Sequence, residues 1–238
     1  MPEKIAILIC AFNEEKNLPK LLRSLKRWKQ IDPTNRTILV VNDGSVDGTK
    51  NVALKSACKV IDSSATRKNI GKGGAFVTGV KHIMTKIKPD FIVTLDADLV
   101  TIKSRNIDSL IKPLKSTRAN MVIGKNREYY KDNNGLSPGE YAFSGQRAIR
   151  ATTLHPILVR KQKWLSQLQG YGLEHALNRL IPRIVYSKTA FYALPAFKNG
   201  LYLKQREDIK KSEERANQRI IKAWKLKLKR RGRFIRKR

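Results

Sequence analysis

Short apolar runs that stop at carboxylates constrain the fold of this chain more than any other feature. "FIVTLDAD" (91–98) is a greasy segment that ends in Asp96 and Asp98, one residue apart. "KIAILICAF" (4–12) and "TILVVN" (37–42) have the same character, with Ile, Leu, Val and Ala following one another without the polar alternation of a sheet that has one wet face. Strands of that kind are covered on both sides, as the central strands of a parallel sheet are.

Helical patterns separate them. Leu18, Leu21, Leu22, Leu25 and Trp28 recur at helical spacing within 15–29, and 46–58, 73–86 and 107–116 also read as helices. "NMVIGK" (120–125) adds another strand, so strand and helix alternate through residue 123. That order predicts a right-handed, doubly wound α/β fold with a mainly parallel sheet. Ligands of such sheets bind beyond the carboxyl ends of the strands. Asn13 and Glu14, the stretch 43–49, and Asp96 with Asp98 all fall there.

The rest of the chain is less regular. Residues 127–145 are polar and glycine-rich and read as a loop; 171–181 reads as a short amphipathic helix ended by Pro182; "RIVYSKTAFYAL" (183–194) reads as one late strand or two. A different composition begins at about 201. Ile209, Ala216, Ile220, Trp224 and Leu228 recur mostly four apart, and the last 20 residues hold 11 basic and no acidic side chains. This predicts a basic amphipathic C-terminal helix.

A length of 238 residues suits one catalytic-sized α/β unit, here 1–200 with a donor half to about 123 and an acceptor half from 124, plus the tail 201–238. The net charge of +31 calls for a polyanionic neighbour: nucleic acid, an anionic membrane surface or phosphorylated substrates. Cys10 and Cys58, without CxxC spacing, exclude a zinc cage and point to a reducing, cytosolic compartment. The apolar start at Ile5 runs for only about six residues, against roughly 20 for a membrane span, and is neither that nor a signal peptide.

Two carboxylates at i and i+2 on one strand converge, and their mutual repulsion raises one pKa unless a cation lies between them. Mg2+ or Mn2+ commonly joins one or two carboxylates to nucleotide phosphates. The plainer alternative is that Asp98 caps a turn while Asp96 accepts backbone N–H groups. In "VVNDGSVDGT" Asp43 can accept from a base N–H, and Ser45 or Asp47 can cap the next helix, although a simple strand-to-helix turn needs little more. "NIGKGGAFVTGV" brings three glycines and Lys72 to a helix start, where free N–H groups favour an anion. Neither the Walker spacing nor GxGxxG is present.

"CAFNEEKNLPKLLRSL", "VVNDGSVDGT", "GKGGAFVTGV" and "LDADL", in this order, resemble the nucleotide-sugar half of a family 2 glycosyltransferase of GT-A fold. "SGQRAIR" and "GYGLEHALN" resemble the acceptor half of its dolichyl- and polyprenyl-phosphate sugar synthase branch. The resemblance covers most of 4–200. It implies a metal-dependent inverting transferase, with Ala11, Phe12 and Glu14 lining the base and ribose pocket and Asp43 reading the base. It also implies Gly71, Lys72 and Gly73 beside the base or diphosphate, Asp96 near ribose or metal, and Asp98 as principal metal ligand. Cys10 stands where many relatives carry Pro, and Asn42 where many carry Asp, which leaves the base open.

A hydroxyl acceptor needs a general base, for which the resemblance offers Glu174 or His175; a phosphate acceptor is already ionised and needs none. A lipid phosphate would instead call for guanidinium groups, Arg147 first and then Arg127 and Arg150. The expected donor is a UDP- or GDP-linked sugar. The expected acceptor is a lipid phosphate, reached from the cytoplasmic face of an anionic membrane on which the basic tail rests. A hydroxyl acceptor on a glycan or small molecule is the alternative. A non-catalytic GT-A-like protein that uses its charge on membrane or nucleic acid is another, and the lack of a nucleic-acid-reading module argues against the nucleic acid.

Overall fold

The computed structural model describes residues 2–56, 58–99, 102–126, 144–168 and 172–191. The three apolar runs are strands β1 (Ile5–Ala11), β2 (Arg36–Asn42) and β4 (Phe91–Asp96), with the short β3 (Lys59–Asp62) falling between β2 and β4 in sequence. These lie parallel in the order β3-β2-β1-β4. The sheet continues through β6 (Arg147–Arg150), β5 (Met121–Asn126) and β7 (Ile184–Phe191). β6 runs antiparallel to both β4 and β5, whereas β5 and β7 are parallel. This one reversal brings the residues that lead into β6 to the carboxyl end of β4.

Burial on two faces accounts for the missing alternation. Ile7, Ile9 and Ala11 enter one core layer with α1 (Leu18–Ile31) and α4 (Ser104–Ser116). Ala6 and Leu8 enter the other with α3 (Gly71–His82), α5 (Ala151–Leu165) and α6 (Gly172–Leu180). α1 buries Leu18, Leu21, Leu22, Leu25 and Trp28, the five residues its spacing singles out.

Several boundaries differ from the sequence reading. α1 starts at Leu18 rather than 15, because Asn13 adopts a left-handed φ of 56° and Pro19 sits in the first turn, where its missing N–H costs nothing. The helix expected over 46–58 is only α2 (Thr49–Leu54), since the chain turns at once into β3. α3 begins at Gly71 and passes into a π-turn, Ile83–Ile87, which ends at the left-handed Lys88. Both β6 and α5 are additions. The expected loop 127–145 lies outside the described residues except at its end, and the tail 201–238 lies wholly outside them. No described helix is long and apolar enough to cross a membrane.

α3 approaches the end of α5 closely. A Cβ on Gly73 would stand 2.2 Å from the Leu165 carbonyl oxygen and 2.6 Å from that of Leu168. Overpacking against backbone costs about 1–3 kcal/mol. Gly73→Ala is therefore expected to lower the urea midpoint by the upper part of that range with the m value unchanged; an unchanged midpoint would contradict this packing.

Candidate active site

The parallel strands deliver their polar ends in one row. Asn42 is level with Ala11 and with Asp62, and Cys10 is level with Asp96. Over this row the turn after β1 is stitched to the turn after β2. Asn13 N donates to Ser45 Oγ (3.1 Å), Glu14 N to Thr49 Oγ1 (2.7 Å) and Glu15 N to Asp47 Oδ2 (3.2 Å). In return Val46 N donates to Asn13 Oδ1 (3.0 Å) and Gly48 N to Glu15 Oε2 (3.1 Å). Asp47 also receives the Thr49 N–H at the start of α2, although Gly48 holds the N-cap position and the helix has no side-chain cap, and Ser45 serves the first turn. Phe12 stands 45% exposed at this rim, available for a flat ligand.

Asp43 lies beneath the turns, 3% exposed. Its Oδ1 accepts from Ser63 Oγ (2.6 Å) and Ile70 N (3.0 Å), and its Oδ2 from Asn69 Nδ2 (3.1 Å). The carboxylate thus binds β2 to the segment before α3, and Oδ2 keeps acceptor capacity. Ser63 and Asn69 were not singled out by sequence; polar residues in a turn carry no sign of which buried carboxylate they serve.

A charged centre occupies the end of β4. Lys72 Nζ sits 2.8 Å from Asp96 Oδ1 and 2.5 Å from Glu174 Oε1, so three elements meet at one ammonium. Burial works against every charge here, yet Asp96 and Glu174 outweigh it and hold Lys72 well above its ordinary pKa. Lys72 and Gln146 likewise outweigh burial at Asp96 and keep that carboxyl below its usual range. Glu174 is 2% exposed, and its Oε2 is buried without a hydrogen-bond partner among the described residues. A cavity of about 30 Å3 borders Lys72, Asp96, Arg147 and Glu174.

Asp98 behaves oppositely to Asp96. Burial, then the neighbouring charges of Asp96 and Glu14, push its carboxyl up to about 7. An added cation would relieve that conflict. Among the described residues no three His, Cys, Asp or Glu side chains converge as a metal cage. Mg2+ and Mn2+ do not require one, because one or two carboxylates and the phosphates of a nucleotide make up a common ligand set. The donor chemistry at 96–98 fits such an ion.

Other expectations are corrected. Two N–H groups at the start of α3 are taken by the protein itself: Gly71 N donates to Asn69 Oδ1 (3.1 Å) and Gly73 N to Leu168 O (3.1 Å). The N–H groups of Gly71 and Gly73 are therefore spoken for and do not form the anion site read from the glycines; Lys72 is what this segment presents. Arg147 is 1% exposed, donating from Nε to Ser144 O (2.7 Å) and from Nη1 to Asn178 Oδ1 (2.6 Å). Burial lowers its pKa to about 10 against the opposing pull of Glu174 and Asp96. It stands in the wall of the site, a buried cation behind the carboxylates, rather than as an open phosphate clamp. Arg150 sits at the other end of β6, bonded to the carbonyls of Leu114, Thr117 and Ala119 and stacked on Phe91. Arg127 lies outside the described residues.

Burial also pushes the Cys10 thiol up to about 12 and the Cys58 thiol up to about 11. The thiolate is the reactive form, so alkylation at pH 8 is expected to run at least about 100-fold slower in the folded protein than in urea. Fast labelling of either cysteine under native conditions would contradict the burial.

Comparison with known proteins identifies the family and the fold. The profile of "Glycosyl transferase family 2" matches residues 6–187. A dolichyl-phosphate beta-glucosyltransferase of Trichomonas vaginalis is 33% identical over 138 residues, 53% of this chain and 41% of that protein. A bactoprenol glucosyl transferase of Shigella phage SfV is 30% identical over 99 residues, 40% of this chain and 31% of that one. The chain thus spans less than half the length of these relatives. Glucosyl-3-phosphoglycerate synthase from Mycobacterium tuberculosis, solved with Mn2+, UDP and glucosyl-3-phosphoglycerate, superposes with a TM-score of 0.59 at 20% identity, covering 80% of this chain and 71% of the other. The same enzyme with Mg2+ and UDP gives 0.57 at 19% identity over 80% and 70%. At such identity the likeness concerns the fold, which is that of the GT-A glycosyltransferases.

Proposed function

The chain belongs to glycosyl transferase family 2, and from that premise we propose that it moves a sugar from a nucleotide diphosphate onto the phosphate of a polyprenyl or dolichyl lipid at a membrane surface. The observation that carries the acceptor is Glu174. Its Oε1 is engaged by Lys72 at 2.5 Å and its Oε2 is buried, which favours a counter-ion over a general base for an incoming hydroxyl. A phosphate oxygen is ionised near neutral pH and attacks without a base. The dolichyl-phosphate and bactoprenol relatives support the same acceptor class.

In this reading Ala11, Phe12 and Glu14 line the base and ribose, Asp43 offers Oδ2 to a base N–H, and Asp96 faces the ribose or the metal. Gly71, at a left-handed φ of 80°, and Gly73, packed against the end of α5, help to seat Lys72 at the diphosphate. Asp98, with Asp96, would hold Mg2+ or Mn2+, which would supply Lewis-acid stabilisation to the departing diphosphate. Glu174 and Arg147 act on the reaction through the charges they set around Lys72 and Asp96. The site aligns the acceptor oxygen opposite the leaving group, so that displacement inverts the anomeric carbon. The charge of +31 and the basic stretch 201–238 support docking on the anionic cytoplasmic leaflet, where each surface Lys or Arg contributes about 1 kcal/mol.

The test is transfer from UDP-glucose and GDP-mannose in anionic vesicles containing either polyprenyl phosphate or unphosphorylated polyprenol. Product on the phosphate alone is expected. Product on the alcohol alone would shift the protein to a hydroxyl acceptor.

A further inference from the structure

Asp96 is gripped at both oxygens, and the second grip comes from the acceptor half. Lys72 takes Oδ1, and Gln146 Nε2 donates to Oδ2 at 2.9 Å. Gln146 is fully buried just ahead of β6. Its own carboxamide is fixed: Ser144 Oγ donates to Oε1 at 2.7 Å, so the amide oxygen is occupied and the NH2 group is the end turned to the carboxylate. A reversed amide would set oxygen against oxygen.

The backbone around Gln146 is equally committed. The carbonyl of Ser144 accepts from Arg147 Nε (2.7 Å), that of Gly145 from Thr94 Oγ1 (2.6 Å) and that of Gln146 from Gly124 N (2.8 Å). Gly145 leaves room for the Asp96 carboxylate itself, since a Cβ there would lie 2.2 Å from Oδ1 and 2.4 Å from Oδ2. A segment tied to β4, β5 and the Arg147 side chain, presenting one buried donor to one carboxylate, is built to fix an orientation. A carboxylate held at both oxygens cannot rotate about its terminal bond, and groups that orient a ligating side chain in this way typically carry a 10- to 100-fold effect.

We propose that Gln146 is a positioning residue for donor recognition: it locks the Asp96 carboxylate from the acceptor side, so that the segment leading into β6 sets the geometry of the nucleotide and metal site. This rests on the donor reading given above and adds to it a residue outside the nucleotide-sugar motifs.

The test is direct titration of wild type, Gln146→Leu, Gln146→Glu and Ser144→Ala with UDP and with GDP in the presence of Mn2+, with the nucleotide-free thermal midpoint of each protein measured alongside. Titrations are run well below the lowest midpoint, where every variant is folded. Gln146→Leu, which keeps the shape and removes the donor, is expected to weaken nucleotide binding by about 10- to 100-fold. Gln146→Glu, which sets a second carboxylate against Asp96, should weaken it at least as much. Ser144→Ala, which frees the amide to turn and removes a longer bond from the Gln146 N–H (3.3 Å) but keeps the Nε2 donor, should produce a smaller loss. A purely structural role would lower the midpoints and leave the dissociation constants alone. Wild-type affinity in folded Gln146→Leu or Gln146→Glu overturns the proposal. If Gln146→Leu does not fold, wild-type affinity in Gln146→Glu overturns it alone. Wild type that binds neither nucleotide overturns the donor reading itself, and this inference with it.

Discussion

Asp98→Ala is expected to lower sugar transfer by about a thousandfold and to abolish the Mn2+-dependent part of nucleotide binding, while the protein stays folded. The size follows from several kcal/mol of leaving-group stabilisation assigned to a metal at this carboxylate. The fold is expected to tolerate the change, or even to gain from it. Asp98 is raised to about 7 by burial and by Asp96 and Glu14, so its ionised form is disfavoured in the native state. With the native value above the unfolded one, the native state binds more protons across the window from about 4 to 7, and the penalty from Asp98 grows as pH rises through it. Removing the group should therefore raise the metal-free thermal midpoint at pH 8 relative to wild type, or leave it unchanged. Full activity in Asp98→Ala would falsify the metal assignment, and a large drop in midpoint would show that Asp98 is a structural cap.

Lys72→Met is expected to cost about 2–3 kcal/mol of stability and most of the activity. The cation it removes is the partner of a carboxylate only 2% exposed, and breaking a buried pair from one side leaves the other charge uncompensated. The figure sits below the usual range for buried pairs because the Lys72 side chain is itself 34% exposed and reaches some solvent. Adding Glu174→Gln to Lys72→Met should restore much of the stability and none of the activity, giving a large coupling in a double-mutant cycle. Glu174→Gln alone separates two roles. As a counter-ion, Glu174 moderates turnover with a phosphate acceptor by about tenfold; as a general base its loss would cost up to about 10^4-fold and remove a limb of the pH profile. Additive stabilities in the cycle would mean that the ion pair is incidental.

Much of the donor half was legible because its signals are local. A strand buried on both faces announces itself as an unbroken apolar run, and β1, β2 and β4 do so; α1 writes its buried face at 18, 21, 22, 25 and 28. β3 was missed because four residues at the edge of a sheet, none fully buried, carry no period. α5 was missed because Pro156 interrupts its pattern, and β6 because four residues followed at once by a helix leave no room for one. At the site, residue types were readable and their commitments were not. The glycines at the head of α3 suggested free N–H groups, but whether Asn69 and Leu168 claim them is decided by packing. Arg147 reads as the first guanidinium for a lipid phosphate, but Asn178 and the Ser144 carbonyl close around it. Gln146 falls within a motif without a role, because its partner lies 50 residues away at the end of β4.

The most direct measurement is calorimetric titration of the wild-type protein with UDP and with GDP, each with Mn2+ and again with excess EDTA. Binding of one nucleotide that requires the metal is the predicted result, and it would place the diphosphate at Asp96 and Asp98 once repeated with Asp98→Ala. No binding of either nucleotide, or binding indifferent to metal and to Asp98, would contradict a metal-dependent nucleotide-sugar site at the end of β4.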